Sequence, residues 1–266
     1  MSLRAEFHCH TDYSMDGLMS VEVVSRTAQR LGLDVVAITD HDEIEGAFAL
    51  ERLVKSTGVQ LEVIIGEERT LDDGSHLIGL FLKEKIASSK FEDVVAEVYA
   101  QGGLCVVPHP FRKSDGLFRE ELEERVAYLR SKPAGYEWQN AKCSRETNQR
   151  AVVELTGCGL AAFGGSDAHY DSDVGQCEVK FDRPIGLDLH DCVERMFSGQ
   201  LGYSILGKRQ LAGDGERRYA PWYYAIRDYV RVPKPALPIA KQAYRCYRNL
   251  RYGIGREPLT ELYASE

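Results

Sequence analysis

Five short stretches of this chain gather side chains that bind metal ions. They are Phe7-His8-Cys9-His10, Thr39-Asp40-His41-Asp42, Gly66-Glu67-Glu68, Pro108-His109-Pro110 and Gly165-Ser166-Asp167-Ala168-His169. Most follow a short apolar run, and together they hold five of the seven histidines. His8 and His10 are two residues apart, so on a strand both imidazoles face one side and Cys9 the other. Histidine nitrogen with carboxylate oxygen suits Zn²⁺, Mn²⁺ or Fe²⁺, and the set contains no thiolate of the kind that redox clusters use. A carboxylate can bridge two such ions roughly 3.5–4 Å apart, a pair that activates water and clamps an oxyanion. Phosphoester hydrolysis is the chemistry this arrangement fits.

Strands must present these residues, and the chain alternates strand-like with helix-like segments. Strands are expected at Arg4 to His10, Asp34 to Thr39, Gln60 to Gly66, Leu104 to Val107, Gly135 to Gln139, Leu160 to Gly164 and Glu178 to Phe181. A further strand, His76 to Leu82, pairs with the third across the Asp72-Asp73-Gly74 turn. Amphipathic stretches fall between them, with Ser20 as an N-cap and Gly32 and Gly58 as stops. A charged helix is expected from Glu120 to Arg130, others from Glu146 to Leu155 and from Leu189 to Phe197. Such alternation implies a parallel sheet closed into a barrel of about seven units, which places functional groups at the C-terminal ends of its strands.

The length of 266 residues allows one such barrel with an appendage. No stretch approaches 18 uninterrupted apolar residues, so no membrane span is expected, and the N-terminus lacks a signal pattern. Seven cysteines without Cys-x-x-Cys spacing fit free thiols in a reducing, cytoplasmic setting. Residues 1–204 carry 21 Lys and Arg against 35 Asp and Glu, whereas residues 205–266 carry 12 against 6. The acidic body thus gives way to a basic tail that also holds eight of the fourteen tyrosines. The expected division is a barrel over 1–205 and an extension over 206–266.

The joint motif set resembles the polymerase and histidinol phosphatase (PHP) superfamily over about residues 6–205. It comprises His-x-His-Thr-x-x-Ser-x-Asp-Gly at 8–17, Thr-Asp-His at 39–41, Gly-x-Glu at 66–68, His-Leu-x-Gly at 76–79, His-Pro at 109–110 and Gly-Ser-Asp-Ala-His at 165–169. The resemblance implies an α/β fold, a distorted (β/α)7 barrel, and metal-dependent phosphoester hydrolysis with two or three divalent transition metals (Mn, Zn or Fe). Carried over residue by residue, it implies His8, His10, Glu68 and Asp167 on a first metal. Glu68 would bridge to a second held by His76 and His109, and Asp16, His41 and His169 would hold a third. Asp16 stands where some relatives have His, which favours Mn²⁺ there. Glu68, Asp167 and His169 are the catalytic candidates among these ligands. Glu67 would point away from them.

Arg112, three residues beyond His109, suits bidentate phosphate binding. Lys113 is a weaker substrate candidate, and Asn140, at a predicted strand end, matches an amide that recurs in the family pattern. Asp40 and Asp42 either cap the following helix or orient His41, and His190 lies outside every motif. The subgroup closest by motif acts on nucleotides or on the 5′ ends of short oligonucleotides. Expected partners are therefore a small phosphorylated substrate or a short nucleic acid. The alternatives are a phosphatase for a small metabolite such as histidinol phosphate or a sugar phosphate, and a metal-bearing nucleic-acid-binding module without catalysis. The interleaved Tyr and Arg of the tail could stack on single strands, lie on an acidic membrane surface or pack on the barrel; packing is favoured, since proline-punctuated aromatic segments need a surface to bury against.

Overall fold

The computed structural model describes residues 2–119 and 121–207. Nine strands form one sheet: β1 (Ser2–Cys9), β2 (Val35–Ile38), β3 (Glu62–Thr70), β4 (His76–Leu80), β5 (Leu104–Val107), β6 (Ala134–Asn140), β7 (Ala161–Gly165), β8 (Cys177–Asp182) and β9 (Tyr203–Gly207). The helices are α1 (Val21–Leu31), α2 (Glu45–Thr57), α3 (Phe91–Ala100), α4 (Leu122–Leu129), α5 (Arg145–Leu155) and α6 (Leu189–Phe197). The strand order is β7-β6-β5-β4-β3-β2-β1-β8-β9.

This is the expected (β/α)7 barrel, nearly closed and distorted in an identifiable way. At one end β1 meets the segment after β7: His10 N donates to Ala168 O at 2.8 Å and Ala168 N to His8 O at 3.1 Å. At the other end β8 runs antiparallel along Ser2–Ala5. β9, a strand absent from the sequence expectation, pairs with β8 and returns to the barrel where the Tyr203 hydroxyl donates to Ala162 O. β4 runs antiparallel to both β3 and β5. Its first residue, His76, therefore stands at the same end as the last residues of the parallel strands.

A β-bulge decides which side chains of β1 enter the barrel. Ala5 and Glu6 pair with Val35 and Val36, but Cys9 pairs with Ile38, so β1 gains one residue. Before the bulge Leu3, Ala5 and Phe7 face the interior, in one buried cluster with Ile78, Leu80, Val106 and Phe163. Beyond it the phase flips, as an inserted residue requires. Cys9 then packs outward with Val36 and Ile38 under α1 and α2, and His8 and His10 face inward. Val193, Met196 and Phe197 of α6 join the interior cluster and plug the floor; Phe197 meets Phe163 edge-on at 5.0 Å.

Helix boundaries follow local chemistry. Gly32 and Gly58 end α1 and α2 at φ 67 and φ 70, the left-handed cap glycine adopts without cost. Ser144 and Asp188 cap α5 and α6 through their side chains. Ser20 sits at the N-cap of α1 without such a bond. The charged helix is shorter than expected because Glu121, at φ 53, precedes its first turn. No helix among the described residues is long and apolar enough to cross a membrane. The expected extension over 206–266 lies outside the described residues after Gly207.

Candidate metal centre

The nine motif side chains come from all around the barrel and meet at one end. Glu68, from β3, stands in the middle. Its Oε2 lies 3.2 Å from the Nε2 atoms of both His8 and His10, and its Oε1 lies 3.0 Å from His76 Nδ1 and 2.9 Å from His109 Nε2. Asp167 Oδ1 approaches His8 and His10 at 3.7 and 3.6 Å. Asp16 Oδ2 lies 3.3 Å from His41 Nε2 and 3.1 Å from His169 Nε2, and the His10 and His169 rings are 4.2 Å apart. The three groups expected from the motifs thus form one continuous row, with one Glu68 oxygen facing each of the first two.

Backbone strain and a missing Cβ build this row. His109 and Asp167 are held at φ 30 and φ 52, a costly region for side chains that cluster at functional sites. At Gly165 a Cβ would lie 1.9 Å from Glu137 Oε1 and 2.7 Å from His8 Cβ; only glycine lets β7 pass that pair.

Glu137, on β6, is a residue that the sequence reading missed. Its Oε1 accepts from His8 Nδ1 at 2.8 Å, which turns His8 Nε2 toward Glu68, the usual orientation of a metal-ligating histidine. Its Oε2 accepts from His109 N at 2.8 Å and Asn140 Nδ2 at 2.7 Å. A second bulge, between Glu137 and Gln139, brings Asn140 round to that carboxylate. A buried acid inside a short apolar strand, Gly-Tyr-Glu-Trp-Gln, was the signal that could have found it. Glu6, also buried, accepts from His8 N, Ser166 N and Gly175 N and so ties β1 to the loop that carries Asp167.

The substrate candidates are placed as follows. Arg112 is half-buried beside the row: Nε and Nη2 donate to Asp115 at 2.6 and 2.9 Å, and Nη1 donates to Asp167 Oδ2 at 2.6 Å. Lys113 is exposed on the turn that follows. Asn140 is buried, its Oδ1 accepting from Lys142 N at 2.8 Å. Glu67 faces away from the row and accepts from Ile86 N at 2.8 Å. Asp40 and Asp42 do not cap α2, which begins at Glu45 with Ile44 at its N-cap. Asp40 instead accepts from Thr11 N and Oγ1 at 2.6 Å each, and Asp42 from Arg69 at 2.7 Å. His190 donates to Gly102 O at 2.8 Å, away from the row.

Electrostatics test whether the row fits metal ions. His8 and His10 present Nε2 atoms 3.0 Å apart. Two lone pairs that close repel unless positive charge lies between or beside them. Burial opposes charging of His41, yet Asp16 and Glu68 push its pKa up to about 10. Burial likewise opposes ionisation of Glu68, and His41, His8 and His76 hold it well below the usual carboxylate range. The pocket therefore draws in positive charge, and its oxygen and nitrogen donors suit divalent transition metals. His10, Asp16, His41 and His169 form one set of mutually close donors, and His8, His10 and Glu68 another.

Comparison with known proteins gives the family. Residues 6–149 match the model of the PHP domain, and residues 145–193 match a PHP-associated model. The chain belongs to the PHP domain family. An uncharacterized protein of Methanocaldococcus jannaschii is 38% identical over 120 residues, covering 41% of this chain and 68% of its own. The alpha subunit of DNA polymerase III from Saccharopolyspora erythraea is 29% identical over 157 residues, 57% of this chain but only 13% of that much longer protein. Among solved structures, a two-domain protein from Bacteroides vulgatus containing a PHP-like metal-dependent phosphoesterase superposes with a TM-score of 0.62 at 18% identity, covering 78% of this chain. This PHP chain spans 65% of that protein's length.

Proposed function

We propose that this PHP-domain chain hydrolyses phosphate esters of nucleotides, nucleoside bisphosphates or short oligonucleotides. One observation carries the reading: Glu68 turns one carboxylate oxygen to each of two histidine groups, with a guanidinium beside them at Arg112. His8, His10, Glu68 and Asp167 would hold one ion, Glu68, His76 and His109 a second, and Asp16, His41 and His169 a third. Bound there, such ions supply an activated water and neutralise phosphate oxygens.

The chain's own residues do the rest. Glu137 fixes the tautomer of His8. The main-chain carbonyl of Asp167 accepts from His169 Nδ1 at 2.9 Å, which fixes the tautomer of His169 and turns its Nε2 toward Asp16. Arg112 supplies a planar fork for the non-bridging phosphate oxygens. The test is a hydrolysis screen of phosphomonoesters, nucleoside bisphosphates and short oligonucleotides with added Mn²⁺. Phosphate or nucleotide release that a chelator abolishes is the expected result. Turnover confined to histidinol phosphate or sugar phosphates would move the substrate to small metabolites, and no turnover by metal-loaded protein would end the reading.

A further inference from the structure

Arg112 is held by an unusually complete set of contacts, and the residue that aims it carries no assigned role. Asp115 takes one edge of the guanidinium, accepting from Nε at 2.6 Å and from Nη2 at 2.9 Å. The adjoining edge, Nη1 with the second N–H of Nη2, is directed at the metal row: Nη1 donates to Asp167 Oδ2 at 2.6 Å, and Nη2 lies 2.9 Å from His109 Nε2. A guanidinium pinned along one edge presents its other edge in a fixed plane, which is the geometry that bidentate phosphate recognition requires.

Asp115 also touches both histidines of the second group. Its main-chain oxygen accepts from His76 N at 3.0 Å, and its Oδ1 lies 3.3 Å from His109 Nδ1. His109 turns its other nitrogen, Nε2, to Glu68 at 2.9 Å. The two carboxylates therefore address opposite nitrogens of one imidazole. Asp115 is nearly buried, at 9% exposure, and both its oxygens are engaged by Arg112.

We propose that Asp115 is a positioning residue: it aligns the Arg112 fork with the second histidine group, so that phosphate oxygens meet guanidinium and metal together. The proposal rests on the phosphoesterase reading for the meaning of the site, but its test does not depend on turnover. Full-length protein is loaded with Mn²⁺. Bound manganese is counted by elemental analysis, and inorganic phosphate binding is measured by calorimetry for wild type, Asp115→Asn, Arg112→Lys and the double variant. An amide replaces one of the two acceptor oxygens with an NH2 that opposes a guanidinium N–H, and it carries no charge, so Asp115→Asn loosens the fork.

Asp115→Asn is expected to keep the wild-type manganese content and to lose phosphate affinity by about tenfold, as one misplaced charge-assisted contact would cost. Arg112→Lys should lose a similar amount, and the double variant little more than either, because the two act as one unit. Loss of one manganese in Asp115→Asn would make Asp115 a ligand instead, a role its closeness to His76 and His109 makes the rival. Wild-type phosphate affinity in that variant, fully additive losses, or no phosphate binding by the loaded wild type would each overturn the proposal. If Asp115→Asn fails to fold, Asp115→Glu, which keeps the charge but displaces it, is judged by the same two readouts. A chain that hydrolyses no phosphate ester yet shows the coupled loss of phosphate affinity would refute the enzymatic reading and leave this one standing.

Discussion

Along β1 the two halves of one strand face the same interior with opposite chemistry. Leu3, Ala5 and Phe7 join an apolar floor closed by Phe163 and by Val193, Met196 and Phe197 of α6. Past the bulge, His8 and His10 converge on Glu68 and Asp167. The floor stabilises by removing apolar surface from water. The mouth does the reverse: it gathers buried carboxylates and imidazoles whose desolvation is costly and whose mutual attraction only partly offsets it. Damage at the floor should therefore be read in stability, and damage at the mouth in metal content and activity.

The largest effect is expected at Glu68. Its carboxylate serves two histidine groups, so Glu68→Gln should lower kcat by at least about 10³-fold, beyond the usual effect of one electrostatic contact, and should remove more than one bound ion. Kinetics and elemental analysis on the same preparation check both. Loss of a single ion with modest kinetics would mean that the groups are independent and the row is not shared.

Phe163→Ala is the matching probe of the floor. The side chain is fully buried against Phe7 at 4.4 Å and Phe197 at 5.0 Å, so the variant should lose about 3–5 kcal/mol in denaturant unfolding. Its metal content under folding conditions should stay at the wild-type level. A stable variant stripped of metal would break the comparison, because the two ends would then not be separable.

Much of this arrangement was legible in the sequence, for reasons that particular residues make plain. Apolar runs such as Asp34 to Thr39 read as buried strands because two-sided burial leaves few polar positions. The candidate ligand residues stood out because His, Asp and Glu at the ends of such runs have no packing role. Phase within a strand was not legible. The bulges in β1 and β6 insert one residue without a sequence mark, yet they decide that Phe7 and His8 both face inward and that Asn140 meets Glu137. Glu137 and Asp115 escaped because they act through other side chains. Glu137 sits in mid-strand and Asp115 in an Arg-Lys-Ser-Asp-Gly segment that reads as an ordinary turn. β9 escaped because its burial is slight, with three of its five residues exposed.

Glu137 offers a finer test of the mouth. Glu137→Gln keeps the shape but weakens the acceptor that fixes His8 Nδ1. Metal affinity should fall by about 10–100-fold, the usual effect of losing the carboxylate behind a ligating histidine, while kcat at saturating metal changes less. Titration with Mn²⁺ under turnover separates the two quantities. An unchanged affinity would show that Gly165 and the β6 bulge hold His8 without help from this charge.

The smallest effect is expected at the neighbour of the most sensitive residue. Glu67 and Glu68 are adjacent on β3, so their side chains leave opposite faces. Glu67 is buried and accepts from Ile86 N, and burial raises its pKa from the ordinary 4.5 to about 7. Below pH 4.5 the folded and unfolded chains both carry this proton; between 4.5 and 7 only the folded chain keeps it. Raising the pH through that window therefore lowers the wild type's stability, by roughly 3 kcal/mol for a shift of this size, with no further loss above it. Glu67→Gln keeps the acceptor and cannot titrate. Its stability relative to wild type should rise across that window, while kcat stays within about threefold, since Glu67 leaves the opposite face of β3 and touches no reacting group. Unfolding curves of both proteins from acid to neutral pH measure the difference. A flat difference would place the Glu67 titration outside the window, and a collapse of kcat would mean that the two glutamates had been assigned to the wrong faces of β3.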